Sequence, residues 1–235
     1  MTERRKIGVL GGMGPEATIL LQQKLLTAVP SSDDADHIPL LIDMNPQVPS
    51  RIAHLIEGTG RDPGPTLARM ARRLEAAGAE ALAMPCNTAH HFAHAITDAV
   101  GIPFLNMVNL AADRAATTEG VGAEIGILAS PAVLRTRLFE NALGSHSLST
   151  LWPEDDDAIL AAIRSIKEHG PTDTARDTLR TASAELSARG AKAQFIACSE
   201  FSLIADAVAP EARVLDTVDV LVDAIVAFQS ETTTA

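Results

Sequence analysis

The sequence predicts an α/β protein made of two similar parallel-sheet units, and three observations predict it. Short apolar runs alternate with stretches rich in Ala, Leu, Arg and Glu along all 235 residues. The runs are near-continuously apolar rather than alternating, as expected for parallel strands covered by helices on both faces. The second half also repeats the first. Gly78-Ala79-Glu80-Ala81-Leu82-Ala83-Met84-Pro85-Cys86-Asn87-Thr88 aligns without a gap on Gly190-Ala191-Lys192-Ala193-Gln194-Phe195-Ile196-Ala197-Cys198-Ser199-Glu200.

Taken in order, Lys6–Leu10 is the opening strand. Gly11 to Gly14 form a turn, and Pro15 opens a helix, where its missing N–H costs nothing. Ile38–Asp43 is the second strand. Thr66–Ala77 is helical and ends at Gly78, a residue suited to a left-handed C-cap. Ala81–Pro85 and Phe104–Leu105 are the next strands. Glu124–Ala129 opens the second half, with Ile125-Gly126-Ile127-Leu128 echoing Ile7-Gly8-Val9-Leu10. Glu154-Asp155-Asp156-Asp157 is an acidic first turn favoured by the dipole of the helix Asp155–Glu168. Thr174–Ala188 is a further helix, closed by Gly190. Gln194–Ala197 and Val214–Leu215 complete seven expected strands. Leu215-Asp216-Thr217-Val218 follows the second cysteine much as Leu105-Asn106-Met107-Val108 follows the first. Trp152 is expected to pack, and the tail Glu231–Ala235 to fray.

Composition narrows the function classes. Hydrophobic residues make up 46% and charged residues 21%, with a net charge of −11. That acidity disfavours nucleic acid and anionic membranes, which require basic surfaces. No apolar run approaches the ~18 residues of a membrane span. The first residues lead straight into a strand without a signal-peptide pattern, and two cysteines are too few for a secreted disulfide scaffold. The expected location is the cytoplasm.

The two cysteines carry the chemistry. Each sits at the end of its strand, and ligands of open α/β sheets bind outside the carboxyl ends of strands. Two such units related by a pseudo-twofold axis close one cleft with a thiol on each wall. Inert core cysteines are the plain alternative, but they have no reason to occupy the sheet's functional edge twice. Opposed thiols suit proton transfer from one face of a carbon to the other, one thiolate abstracting while the other thiol donates. Each precedes a helix-like segment whose positive end is expected to favour the thiolate. Two competing readings are weaker. Gly12-Met13-Gly14-Pro15-Glu16-Ala17 fits a dinucleotide fingerprint, yet Asp43 comes late for its acidic partner. Cys86, His90 and His94 share one helical face, but eight residues of helix span about 12 Å, too far for one ion. His91 and His94 read as helix-surface residues.

Longer motifs surround these thiols: Ile7-Gly8-Val9-Leu10-Gly11-Gly12-Met13-Gly14-Pro15-Glu16-Ala17-Thr18, Asn45-Pro46-Gln47-Val48-Pro49-Ser50-Arg51, Met84-Pro85-Cys86-Asn87-Thr88-Ala89-His90 and Ala197-Cys198-Ser199-Glu200. In this order they resemble the aspartate/glutamate racemase family of pyridoxal-phosphate-independent amino-acid racemases, and most closely its aspartate racemase branch. The resemblance implies two flavodoxin-like domains about a cleft. The first is residues 1–108 plus about 217–235, the second 109–216, with the C-terminal helix returning to the first. It also implies a homodimer, a small acidic amino acid as substrate, and neither cofactor nor metal. Cys86 and Cys198 would be the catalytic acid/bases, and Arg51 would grip the substrate's side-chain carboxylate. Asn87, Thr88, Ser199 and Glu200 would bind or orient the head group, with Met13, Asn45, Ser130 and Lys167 as further binding residues.

The chain departs from the family pattern at three places. Ser199 stands where Thr is usual, and Phe201 where an aliphatic residue is usual. Ser130-Pro131-Ala132-Val133 lacks a glycine and a hydroxyl, and Pro131 removes an amide donor. The same scaffold also implies alternatives: isomerases or lyases of the maleate isomerase, hydantoin racemase or arylmalonate decarboxylase types, or a non-catalytic amino-acid binder.

Overall fold

The computed structural model describes residues 4–230. The expected frayed tail, Glu231–Ala235, lies outside the described residues. Among the described residues eight strands form two four-stranded parallel sheets. The first contains β1 (Ile7–Gly11), β2 (Leu40–Met44), β3 (Ala81–Ala83) and β4 (Phe104–Leu105), in the order β2-β1-β3-β4. The second contains β5 (Glu124–Leu128), β6 (Ser149–Leu151), β7 (Ala193–Ile196) and β8 (Val214–Asp216), in the order β6-β5-β7-β8. The two orders are identical once the second set is renumbered, so the duplicated sequence is a duplicated topology of two flavodoxin-like units.

The echo holds at the level of atoms. Gly8 pairs with Leu82 of β3, and Gly126 with Gln194 of β7. A Cβ on Gly8 would stand 2.8 Å from Leu82 Cδ2 and 3.0 Å from Leu74 Cβ; one on Gly126 would stand 3.0 Å from both Gln194 Cγ and Leu186 Cδ1. Both glycines therefore let a helix lie close on its central strand. Those helices, Gly64–Ala76 and Asp173–Ala188, end alike. The Ala79 N–H donates to the Leu74 carbonyl and the Ala191 N–H to the Leu186 carbonyl, each at 3.0 Å. The intervening Gly78 and Gly190 have φ of +94° and +98°, the left-handed closure that ends a helix cleanly.

The count of seven strands expected from sequence falls one short of the eight among the described residues, and the one missed is β6. β6 is an edge strand of Ser-Thr-Leu with Ser149 exposed, so it lacks the apolar run that announces a central strand. Asp155 accepts a hydrogen bond from the Ala158 N–H at 2.8 Å and caps the helix Asp156–His169, as the acidic run implied. Trp152 packs beside the second unit's core and donates its Nε1–H to Glu140. The last helix, Thr217–Ser230, follows β8 but packs on the first sheet. Its Val218, Leu221, Val222 and Ile225 share a core with Ile7, Val9, Ala81 and Ala83. Among the described residues no helix is long and apolar enough to cross a membrane.

Candidate active site

The strands of both sheets release their loops toward one cavity of about 610 Å³. After β1 the chain turns through Gly12, whose φ is +88°. A Cβ there would stand 2.4 Å from the Asn45 carbonyl carbon, so only glycine allows the loops after β1 and β2 to touch. The Gly12 N–H donates to Thr18 Oγ1 at 3.0 Å, which ties the turn to the helix Pro15–Ala28. Asn45 Oδ1 accepts from the Gln47 N–H at 3.1 Å and bends the next loop toward Arg51. Ser50 caps the short helix Arg51–Leu55 through the Ala53 N–H. Arg51 donates Nη1–H to the carbonyls of Val48 (3.3 Å) and Pro49 (3.0 Å), while its Nε is buried without a partner. The guanidinium is thus aimed by its own loop and keeps unused donor capacity.

Cys86 follows β3 and Cys198 follows β7; both are free thiols, each 7% exposed, and both line this cavity. Of the other residues singled out from sequence, Met13, Arg51, Thr88, Ser130, Lys167 and Glu200 also line it. Asn45, Asn87 and Ser199 do not. Asn45 shapes the loop described above. Asn87 is buried, with Nδ2–H donating to Thr217 Oγ1 at 2.9 Å; Thr217 in turn donates to the Ile196 carbonyl at 3.0 Å. That chain fastens the Cys86 loop to the strand that delivers Cys198. Ser199, next to the second thiol in the chain, is buried. Ser130 caps the helix Pro131–Thr136 through the Ala132 N–H at 3.3 Å, with Pro131 at the first helical position. The amide lost at Pro131 is one that a helix start leaves unbonded in any case.

Electrostatics separates the two walls. The Cys198 Sγ–H donates to Glu200 Oε2 at 3.0 Å, and Glu200 Oε1 pairs with the Lys167 ammonium. Burial, followed by the charge and hydrogen bond of Glu200, pushes the Cys198 thiol well above its ordinary pKa. Burial alone would raise Glu200, but the Lys167 charge and the hydrogen bonds from Cys198 and Lys167 outweigh it and hold the carboxyl below its ordinary value. Burial acts to lower Lys167, yet Glu200 and, more weakly, both cysteines raise it. The expected lowering of both thiols by helix ends is therefore wrong for Cys198. The following helix, Ser199–Ser202, has only four residues and its first turn carries the opposing carboxylate.

The proposed shared face of Cys86, His90 and His94 is absent too. Residues Thr88–Phe92 form a 3₁₀ turn, which buries His90 and leaves His91 and His94 exposed. Sequence reasoning missed Gln47, Ser50 and Ile163 as lining residues, and Glu16 at the start of the first helix. Glu16 Oε2 would lie 3.1 Å from a Cβ on Gly14, with Glu200 Oε1 at 3.8 Å, so two carboxylates converge on that turn. The signal for Gln47, Ser50 and Glu16 was their place inside quoted motifs; Ile163 lies outside them. His90 closes the quoted motif around Cys86, but its sequence position did not show that it is buried behind the thiol.

Comparison with known proteins bears on the family and the fold. The family described as Asp/Glu/Hydantoin racemase matches residues 10–225. An aspartate racemase from Picrophilus torridus superposes with a TM-score of 0.85 at 24% identity, covering 97% of this chain and 95% of that one. An aspartate racemase homologue from Pyrococcus horikoshii OT3 gives 0.73 at 20% identity, over 97% and 100% of the two chains. A glutamate racemase from Francisella tularensis, solved with D-glutamate, gives 0.68 at 14% identity, over 99% and 85%. At these identities the structural likeness speaks for the fold.

Proposed function

This chain belongs to the Asp/Glu/hydantoin racemase family, a family of isomerases, and on that premise we propose that it interconverts the L and D forms of aspartate or glutamate by two-thiol proton transfer at Cα. One observation carries the reading: Cys86 and Cys198, at equivalent strand ends of a duplicated fold, line the same cavity as Arg51 and Lys167. A substrate with two carboxylates and one ammonium suits a cavity that carries two cations and two acids, Glu16 and Glu200.

In this mechanism the Arg51 fork takes the side-chain carboxylate, a planar match for its parallel N–H groups. Thr88, Ser130 and Met13 bound the rest of the substrate. Cys198, held protonated by burial and by Glu200, serves as the acid for the enantiomer whose Cα–H faces Cys86. The Cys86 thiolate removes that proton, and Cys198 delivers its own to the opposite face. The product has inverted configuration, and the two thiols have exchanged protonation states. The reverse reaction runs the same steps with roles exchanged, and neither pyridoxal nor a metal takes part. The cavity is further proposed to lie between domains 1–108 plus about 217–235 and 109–216, in a cytoplasmic homodimer.

The test is isotope exchange. Incubated in heavy water with L- or D-aspartate and glutamate, the protein is expected to incorporate one deuterium at Cα with inversion. Exchange with none of these acids rejects the reading.

A further inference from the structure

The chemistry above leaves unused a buried histidine behind Cys86. His90 is 3% exposed and makes two hydrogen bonds at once. Its Nδ1–H donates to the Cys86 carbonyl at 2.9 Å, and its Nε2 accepts from the Met107 N–H at 3.0 Å. Both bonds require a neutral ring with its proton on Nδ1. Burial supplies that state, lowering the His90 pKa to about 4 against the opposing pull of the Cys86 carbonyl. The ring stacks on Phe104 of β4, with centroids 5.3 Å apart.

The second bond explains what the ring is anchored to. Met107 begins the helix Met107–Thr118, whose first amides have no partners within the helix. Asn106 Oδ1 accepts from the Val108 and Asn109 N–H groups, both at 3.1 Å; the Met107 amide is left to His90. A well-held helix start is thus braced against the carbonyl of the cysteine itself. The next residue, Asn87, is fixed from the other side by Thr217.

We propose that His90 is the positioning residue for Cys86: by holding the Cys86 carbonyl against the start of the Met107 helix, it fixes the peptide plane that sets the thiol's place on the cavity wall. Its consequence for turnover rests on Cys86 being one of the two reacting thiols; the placement itself does not. A displacement of about 1 Å at a reacting group is enough to cost on the order of a hundredfold in rate.

His90 also borders a second cavity of about 450 Å³ beside Asn106, Asn109 and Asn141, which gives a small molecule a route to the space left by His90→Ala. In that variant kcat is expected to fall about a hundredfold with KM within about threefold, because the binding groups are untouched. Freed from its brace, Cys86 should react with iodoacetamide about tenfold faster, while Cys198 stays within about twofold. Added imidazole, which offers both a donor and an acceptor, should restore turnover and slow Cys86 labelling; N-methylimidazole, which has no N–H, should do neither. His90→Phe keeps the ring volume against Phe104 but loses both bonds, and should give the same thiol-selective labelling. Unchanged labelling of Cys86 in both variants overturns the proposal, as does equal acceleration of both thiols, the mark of general loosening. If the wild type exchanges no Cα proton and Cys86 labelling still follows His90, the racemase reading fails and the placement role is supported.

Discussion

Cys198 donates its Sγ–H to Glu200 Oε2 at 3.0 Å, and the other oxygen of that carboxylate is paired with Lys167. The arrangement makes the second thiol an acid at rest, because burial and, after it, the adjacent negative charge of Glu200 oppose formation of the thiolate. Glu200→Gln removes the charge, keeps the shape and leaves Lys167 in place. The midpoint for Cys198 alkylation should then move down by at least about one pH unit, or about tenfold in labelling rate at neutral pH. Mass spectrometry of each thiol across pH 6 to 10 reads this directly. A midpoint that stays or rises contradicts the assigned cause.

Arg51 is aimed by the carbonyls of Val48 and Pro49 and retains a buried, unpartnered Nε. If it receives the side-chain carboxylate of the substrate, Arg51→Ala should lose about 2–5 kcal/mol in kcat/KM on aspartate. Arg51→Lys should lose less, since it keeps the charge and gives up only the fork. Steady-state kinetics with aspartate and with alanine separate the effects: alanine lacks the carboxylate and should be indifferent to the change. Normal turnover of aspartate by Arg51→Ala would count against an acidic substrate.

How far the molecule could be read in advance depended on what each residue's neighbours in sequence reveal. β1, β3, β5 and β7 were evident because central parallel strands are apolar on both faces, and Gly78 and Gly190 marked the helix ends before β3 and β7. β6 was not, since Ser149-Thr150-Leu151 sits at an edge with one face open. At the site, strand ends brought Cys86 and Cys198 to one cavity as the duplication implied. Asn87 and Ser199 adjoin those thiols in the chain yet turn away from the cavity, because side-chain direction at a strand-to-helix turn follows dihedrals that spacing does not encode. His90 looked like one rung of an α-helical face; the 3₁₀ turn rotated it inward. The raised Cys198 pKa depended on the burial of the thiol and on which way Glu200 points, both tertiary facts.

The two hydrogen bonds of His90 also predict an acid-stability effect. Its folded-state pKa of about 4 lies below the ordinary value of 6.5, so the unfolded chain binds the extra proton first. The stability held by the neutral ring is therefore complete above about pH 6.5 and is lost as pH falls toward 4. The difference corresponds to roughly 3 kcal/mol at most. Urea unfolding of wild type and His90→Gln between pH 4 and 7 isolates it, because other titrating groups are common to both. The wild type's stability should fall more steeply with acid than the variant's. Parallel curves would show that the ring does not titrate in this window.

The most demanding prediction concerns the thiols as a pair. Cys86 and Cys198 line one cavity from equivalent strand ends, and inversion at one carbon needs a proton removed on one face and supplied on the other. Replacing either by alanine should therefore abolish net racemisation in both directions, and Cys86→Ala/Cys198→Ala should be no worse than either single variant. Such non-additivity is expected of groups that act as one unit. The single variants should still differ from each other. Each keeps a base for only one enantiomer, so in heavy water one should exchange the Cα proton of the L form and the other that of the D form, both slowly. Glu200 adds a constraint. In Cys86→Ala the remaining thiol is the one that burial and Glu200 keep protonated, so its exchange should be the slower of the two and should quicken as pH rises toward 9. Chiral chromatography for inversion and proton NMR for exchange measure both quantities in one sample. Undiminished racemisation by Cys198→Ala would make the second thiol structural and remove the two-base mechanism.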